Sequence, residues 1–331
     1  MEILYPLTFD PIFKERVWGG RKLEELYHKL LPPGVPIGES WEISDRPGDV
    51  SVVANGELKG KDLHWLVQNC REELLGSTQL HDGRFPLLIK ILDAQEKLSL
   101  QVHPPAAKAS ALGGEPKTEM WYITDAAPNS ELFVGLKRGV SRGEFERKIK
   151  DGTVADCFHR VNARAGDAMF LPSGRVHAIG EGLVIFEIQE NSDTTYRVFD
   201  WNRVGLDGQP RALHVAESLE SINFEDFEPG LIRPEPALEK TSGGERLVND
   251  PLFTITLYHL KAGEHLPLEP KILHIIAVVE GSVRVADNRS DISLSAGGFS
   301  LLPASLQKVT VRAESHVRLL EVQPGPKLMR R

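Results

Sequence analysis

Short runs of alternating or continuous apolar residues, broken by Gly, Pro, Asp and Asn, recur along nearly the whole chain. That rhythm predicts an all-β sandwich or barrel, because strands are short and each needs a turn residue at its end. The clearest strands are expected over residues 51–54, 86–92, 98–103, 120–124, 183–189, 254–259, 274–280, 282–286 and 317–322. Helix formers at helical spacing predict a few short helices, over 21–31, 61–69, 71–75 and 141–151. The last opens on Ser141 with Glu144 three positions on, a capping pattern.

From Phe227 to Arg246 the chain reads FEPGLIRPEPALEKTSGGER, rich in Pro, Gly and charge, and this segment is the expected linker. It places a boundary near residue 240, between an N-terminal unit of residues 1–235 and a C-terminal β unit of residues 236–331. The earlier unit contains VNARAGDAMFLPSGRVHAIG, and the later one contains VVEGSVRV followed by SLSAGGFSLLPAS. Both run strand, glycine turn, strand, proline, so a degenerate internal repeat is expected. The earlier copy ends in His177, whereas Leu306 and Gln307 follow the later one, which makes the second unit structural.

Metal-ligating residue types gather in three segments of the first unit. Gln101 and His103 are two apart, so on an extended strand they share a face and can reach one ion in a barrel interior. Glu119 at the start of a WYI strand and His177 after a glycine-proline turn are the natural further donors. Two imidazoles, a carboxylate and an amide oxygen suit a catalytic zinc that stays open to substrate, although iron or manganese accepts the same set. Gln101 reads equally well as a ligand or as support for one. A lone strand histidine is more often a hydrogen-bonded packing residue, but the combined pattern is hard to explain as packing.

Composition narrows the partners. With 41% hydrophobic and 26% charged residues over 331 positions, the chain has the make-up of an ordinary soluble globular protein. A net charge of -8 offers no broad positive field for nucleic acid or an anionic membrane, so a phosphate would need a local basic pocket and a small molecule is the better partner. Cys70 and Cys157 form no CxxC pair and predict neither a disulfide framework nor a cysteine zinc site. The opening residues lack the basic and apolar pattern of a signal peptide, and no run approaches the roughly 20 apolar residues of a membrane helix, so a cytoplasmic protein is expected. A monomer is the expected state.

Several motifs together resemble the type I mannose-6-phosphate isomerases in their short bacterial form: LSLQVHP at 98–104, EPKTEMWYI at 115–123, LPSGRVHAIG at 171–180 and SDTTYRVFDWNR at 192–203. WGG at 18–20 and GESWEIS at 38–44 add to them, and the resemblance runs from about residue 5 to 215. It implies cupin (jelly-roll) β-barrels in a bicupin arrangement and one zinc per chain held by His103, Glu119 and His177, with Gln101 as fourth ligand. It further implies that Arg197 and Lys117 are active-site cations and that Ser99 and Lys90 hold the phosphate of a sugar phosphate. The implied reaction interconverts mannose 6-phosphate and fructose 6-phosphate through an enediol. Enclosure beside a dication would lower the pKa of Lys117 enough for a base, and a metal-bound water is the other candidate. A cupin oxygenase and a non-catalytic sugar-phosphate sensor are the competing readings.

Overall fold

The computed structural model describes residues 4–236, 244–266 and 268–329. Two pairs of antiparallel sheets follow one another along the chain. In the first pair, a six-stranded sheet runs in the order Ile12–Gly20, Ile37–Ile43, Leu87–Ala94, Leu183–Glu190, Glu119–Ala126 and Ala168–Leu171. It faces a five-stranded sheet ordered Tyr196–Phe199, Leu100–Val102, His177–Ile179, Glu131–Leu136 and Phe158–Asn162. The second pair, between Glu235 and Pro324, repeats this plan with six strands against four. The expected β class with a few helices is what the chain forms.

Why the strands read as they do follows from where their faces point. Leu87–Ala94 is buried at every position. Ile89 and Ile91 face a core shared with Phe253, Ile255, Ile275 and Leu320 of the second pair. Leu92 and Ala94 face inward against Leu132, Val134 and Ile179 of the opposite sheet. A strand covered on both faces loses its apolar-polar alternation and becomes a continuous run, as LLIKIL shows. The two six-stranded sheets thus pack back to back, and the N-terminal segment joins them, with Leu7 N donating to Leu301 O and Leu301 N to Leu7 O (2.9 Å each).

Three expectations need correction. Residues 51–54 form no strand, since Val53 bridges Phe9 and Val52 bridges Asp62 only as isolated pairs. The helix expected to reach residue 31 stops at Tyr27, because His28 takes a left-handed conformation (φ 54) and the N–H groups of His28 and Lys29 close onto Glu24 O and Leu23 O. The proline-rich stretch is not a bare linker, as Glu235–Pro236 pairs with Glu245 and Arg246. Residues 237–243 of that stretch lie outside the described residues. The other helices form as Leu63–Asn69, Arg71–Leu75 and Arg142–Lys150, with Asp62 Oδ1 accepting from Trp65 N (2.7 Å) and Ser141 Oγ from Glu144 N (3.2 Å). A further helix, Val215–Ser221, adds to the expected set.

The internal repeat is visible in strand register. Glu119 pairs with Leu171 just before Pro172, and His274 pairs with Leu302 just before Pro303. Two positions on, Trp121 pairs with Glu187 and Ile276 with Glu321. His274 therefore occupies the position of Glu119, and Glu321 that of Glu187. The two are joined to each other, His274 Nδ1 lying 2.7 Å from Glu321 Oε1, with its Nε2 the same distance from Glu269 O.

Candidate metal centre and substrate cavity

The first sandwich brings three donors together between its sheets. Glu119 begins a strand of the six-stranded sheet, His177 begins one of the five-stranded sheet, and His103 follows the strand Leu100–Val102, paired to both neighbours through Gln101. All three are buried, and one ligand atom from each lies within 4.8 Å of the others. His103 Nδ1–H donates to Thr194 O (2.8 Å) and His177 Nδ1–H to Arg175 O (3.0 Å). Each ring therefore turns a bare Nε2 lone pair inward, the orientation backbone carbonyls impose on metal-binding imidazoles.

His103 Nε2 and both carboxylate oxygens of Glu119 are buried without a hydrogen-bond partner. The contacts of 3.2–3.5 Å among Glu119, His103, His177 and Lys117 bring these groups together without hydrogen-bond geometry. Orphaned donors pointing at one spot are costly unless a cation meets them, and this set fits a divalent metal. Burial holds His103 neutral, its pKa pushed down to about 4 with the Lys117 ammonium adding to the effect. Burial also lowers His177. For Glu119 burial opposes ionisation, but the Lys117 ammonium outweighs it and keeps the carboxylate well below its usual range. Gln101 Nε2 stands 3.2 Å from His177 Nε2, and Ser99 Oγ donates to Gln101 Oε1 (3.3 Å). A half-turn of that amide would offer oxygen at the same place.

A cavity of about 600 Å³ opens above these residues, with Gln101 and Lys117 in its lining and the three donors behind them. Lys90, Ser99 and Arg197 line it too, so all eight residues singled out from the sequence gather at one site. Their surroundings differ from expectation in two cases. Lys117 has carboxylate neighbours the sequence did not show: among the protein's own groups, burial lowers its pKa, but Glu119, Glu187 and Asp193 raise it overall. Lys90 is not a spare cation, for its Nζ sits 3.3 Å from Glu187 Oε1 and 3.6 Å from Glu39 Oε2, almost fully enclosed.

Register explains this enclosure. Trp41, Lys90, Glu187 and Trp121 lie side by side across four neighbouring strands. The Trp121 indole donates to Glu187 Oε2 (2.9 Å) and the Trp41 indole to Glu39 Oε2 (2.7 Å), while Glu39 Oε1 accepts from Arg16 Nε (2.6 Å). Sequence reasoning missed Glu39 and Glu187. A signal existed for Glu39, which stands two before Trp41 in GESWEIS, the same-face spacing that drew attention to Gln101 and His103.

Burial alone would raise Glu39, but Lys90 and Arg16 dominate and bring it down to about 2. A carboxylate lowered in the fold stabilises it fully above the ordinary value of 4.5 and ceases to do so as pH falls through about 2. In acid unfolding of Glu39→Gln, stability should therefore depend less on pH between those limits than in the parent, as read by the urea midpoint at each pH.

His177 is aimed by its own loop. Gly174 (φ 93) makes the turn, and Arg175 clamps it through Asp226 (2.7 and 2.8 Å) and Phe170 O (2.7 Å). Because the Arg175 carbonyl holds the His177 ring, Arg175→Met should weaken metal affinity about tenfold while leaving all three donors in place. Competition with a fluorescent chelator measures it.

Residues 7–136 match the family model for phosphomannose isomerase type I, catalytic domain. Over 304 residues the chain is 36% identical to mannose-6-phosphate isomerase ManA of Bacillus subtilis, covering 91% of this chain and 94% of that protein. The chain belongs to the type I mannose-6-phosphate isomerase family. GmuF of the same organism, a probable mannose-6-phosphate isomerase, is 34% identical over 93% of this chain and 96% of its own. The crystal structure of the mannose 6-phosphate isomerase from Bacillus subtilis matches at a TM-score of 0.86 and 31% identity, covering 96% of this chain and 99% of the other. Likeness to these isomerases thus extends past residue 215 into the second sheet pair, where the motifs gave little.

Proposed function

We propose that this isomerase interconverts mannose 6-phosphate and fructose 6-phosphate with one zinc held by His103, Glu119, His177 and Gln101. The observation that carries the reading is the set of orphaned, buried donor atoms against Lys117 and Gln101, which with Arg197 line the cavity. In the conversion a proton leaves C2 and one arrives at C1, while the hydroxyl proton of O2 passes to O1. The sugar is neither oxidised nor reduced overall, and no redox partner is required. A bound zinc would supply Lewis-acid stabilisation of the negative charge that develops on O1 and O2.

The chain's own groups divide the remaining work. Lys117, 3.2 Å from Glu119 and lining the cavity, is placed to add positive charge beside the donor cluster. Arg197 forms no ion pair among the described residues and has a buried Nε without a partner, so it is the better phosphate-binding group than the doubly paired Lys90. Ser99 holds the Gln101 amide. Trp18, Leu92 and Leu98 wall the cavity and reduce its water content.

The test is conversion of mannose 6-phosphate, coupled to a fructose 6-phosphate readout, for the protein as purified, chelated, and resupplied with zinc, iron or manganese. Activity lost on chelation and restored by zinc supports the proposal. Absence of turnover with metal bound at stoichiometry overturns it, and iron-dependent oxygen uptake would favour the oxygenase reading.

A further inference from the structure

Among the described residues, three of the five exposed large hydrophobic side chains, Val204, Leu206 and Leu213, fall within ten residues of one another. The segment containing them is a small hairpin at the mouth of the cavity, to whose lining it contributes Gly205, Leu206, Asp207 and Arg211. Val204 bridges Pro210, Gly205 N donates to Gln209 O (2.6 Å), and Gln209 N to Asp207 Oδ1 (3.0 Å). Among the described residues, these hydrogen bonds of the tip run within the hairpin.

The base of the hairpin, by contrast, is fastened. Asp200 accepts from Arg203 (2.9 Å) and Arg211 (2.6 Å). Trp201 Nε1 donates to Leu98 O (2.7 Å), and Arg197 Nη1 to Ala212 O (2.8 Å). Trp201 and Asn202, both at φ 56, turn the chain sharply at the same place. A fastened stem with an apolar tip at a charged cavity is a poor arrangement for an open protein, because Leu206, 57% exposed, shares its exposure with Val204 and Leu213 close by in the chain. It becomes a favourable one when the tip descends onto a bound sugar.

Charge supplies the trigger. Arg197 stands on the cavity wall and Arg211, bonded to Asp200, on the hairpin stem, and the Arg211 charge adds to the burial that lowers the Arg197 pKa. A dianion received between them would offset that repulsion with the stem in place, leaving the tip to close over the sugar. We propose that the hairpin from Asp200 to Arg211 closes over a sugar phosphate, its phosphate bridging Arg197 and Arg211, and that Leu206 seals the cavity against water. This rests on the isomerase reading above. Its functional consequence is that the proton removed from C2 is shielded from solvent until it is returned to C1.

Two measurements test it. In hydrogen-exchange mass spectrometry, the amides of residues 201–212 should slow by about tenfold on addition of fructose 6-phosphate. In deuterated water, Leu206→Ser should place several-fold more deuterium at C1 of fructose 6-phosphate than the parent and raise KM by about tenfold, with metal content unchanged. Leu213→Ser, outside the cavity lining, should behave as the parent in both respects. The proposal falls if Leu206→Ser matches the parent, if the parent already exchanges every proton, or if the hairpin amides do not slow. A parent protein with no turnover at all would instead overturn the isomerase reading, and the amide measurement would still decide whether the hairpin closes on a sugar phosphate.

Discussion

His103→Ala should bind no stoichiometric metal and lose at least about three orders of magnitude in kcat/KM, because the donor set cannot be completed without it. Its Nε2 is one of the buried atoms without a partner, and its Nδ1–H bond to Thr194 O fixes the ring where Glu119 and His177 converge. Alanine removes both features while leaving Glu119 paired to Lys117 at 3.2 Å. The fold should therefore survive, and the far-ultraviolet circular dichroism of the variant should match that of the chelated parent. Metal analysis beside the conversion assay reads the effect. A variant that retains zinc and turnover would place the metal elsewhere.

Lys90→Met is the second large effect, and it falls on stability. The substitution keeps the bulk of the side chain but leaves Glu39 and Glu187 facing each other in a buried site with one cation removed. Unpairing buried charges typically costs about 3–5 kcal/mol, so the urea midpoint should fall accordingly. Arg16 still offsets part of the charge on Glu39, and the two indole N–H groups still bind a carboxylate each. The same variant separates structure from substrate binding. Because the lysine's charge is already met, its KM for mannose 6-phosphate should change less than that of Arg197→Gln. A Lys90→Met protein with parental stability and a greatly raised KM would return the lysine to the phosphate.

Spacing and motif context made the candidate metal donors legible. Gln101 lies in one short strand with His103 just past its end, and Glu119 and His177 each begin another, so local order already limited where their side chains could point. The all-β class was legible for a similar reason, since strand length and turn residues are local properties. What could not be read was pairing across the sheet. Lys90 in LLIKIL looks like a lone cation in an apolar run, and only register sets Glu187 and Trp41 at its sides. The same limit applies to Lys117, whose protonation depends on Glu187 and Asp193, far along the chain. Residues 51–54 show the converse error, a strand-like composition held only by isolated bridges. The hairpin at the cavity mouth gave no signal because its glycines and proline look like any other turn.

The core shared by the two six-stranded sheets bears on how this protein is made. Leu4 and Leu7 leave the ribosome long before Leu301, Leu320 and Val322, yet one cluster covers them all. Until those distant strands emerge, the outer face of the catalytic sandwich, with Ile89, Ile91, Tyr122 and Phe186, has no partner to exclude water from it. The site-bearing half is thus complete in its chemistry long before it is complete in its burial. During synthesis it must wait, with a broad apolar face uncovered, for a half that contributes none of the three candidate donors.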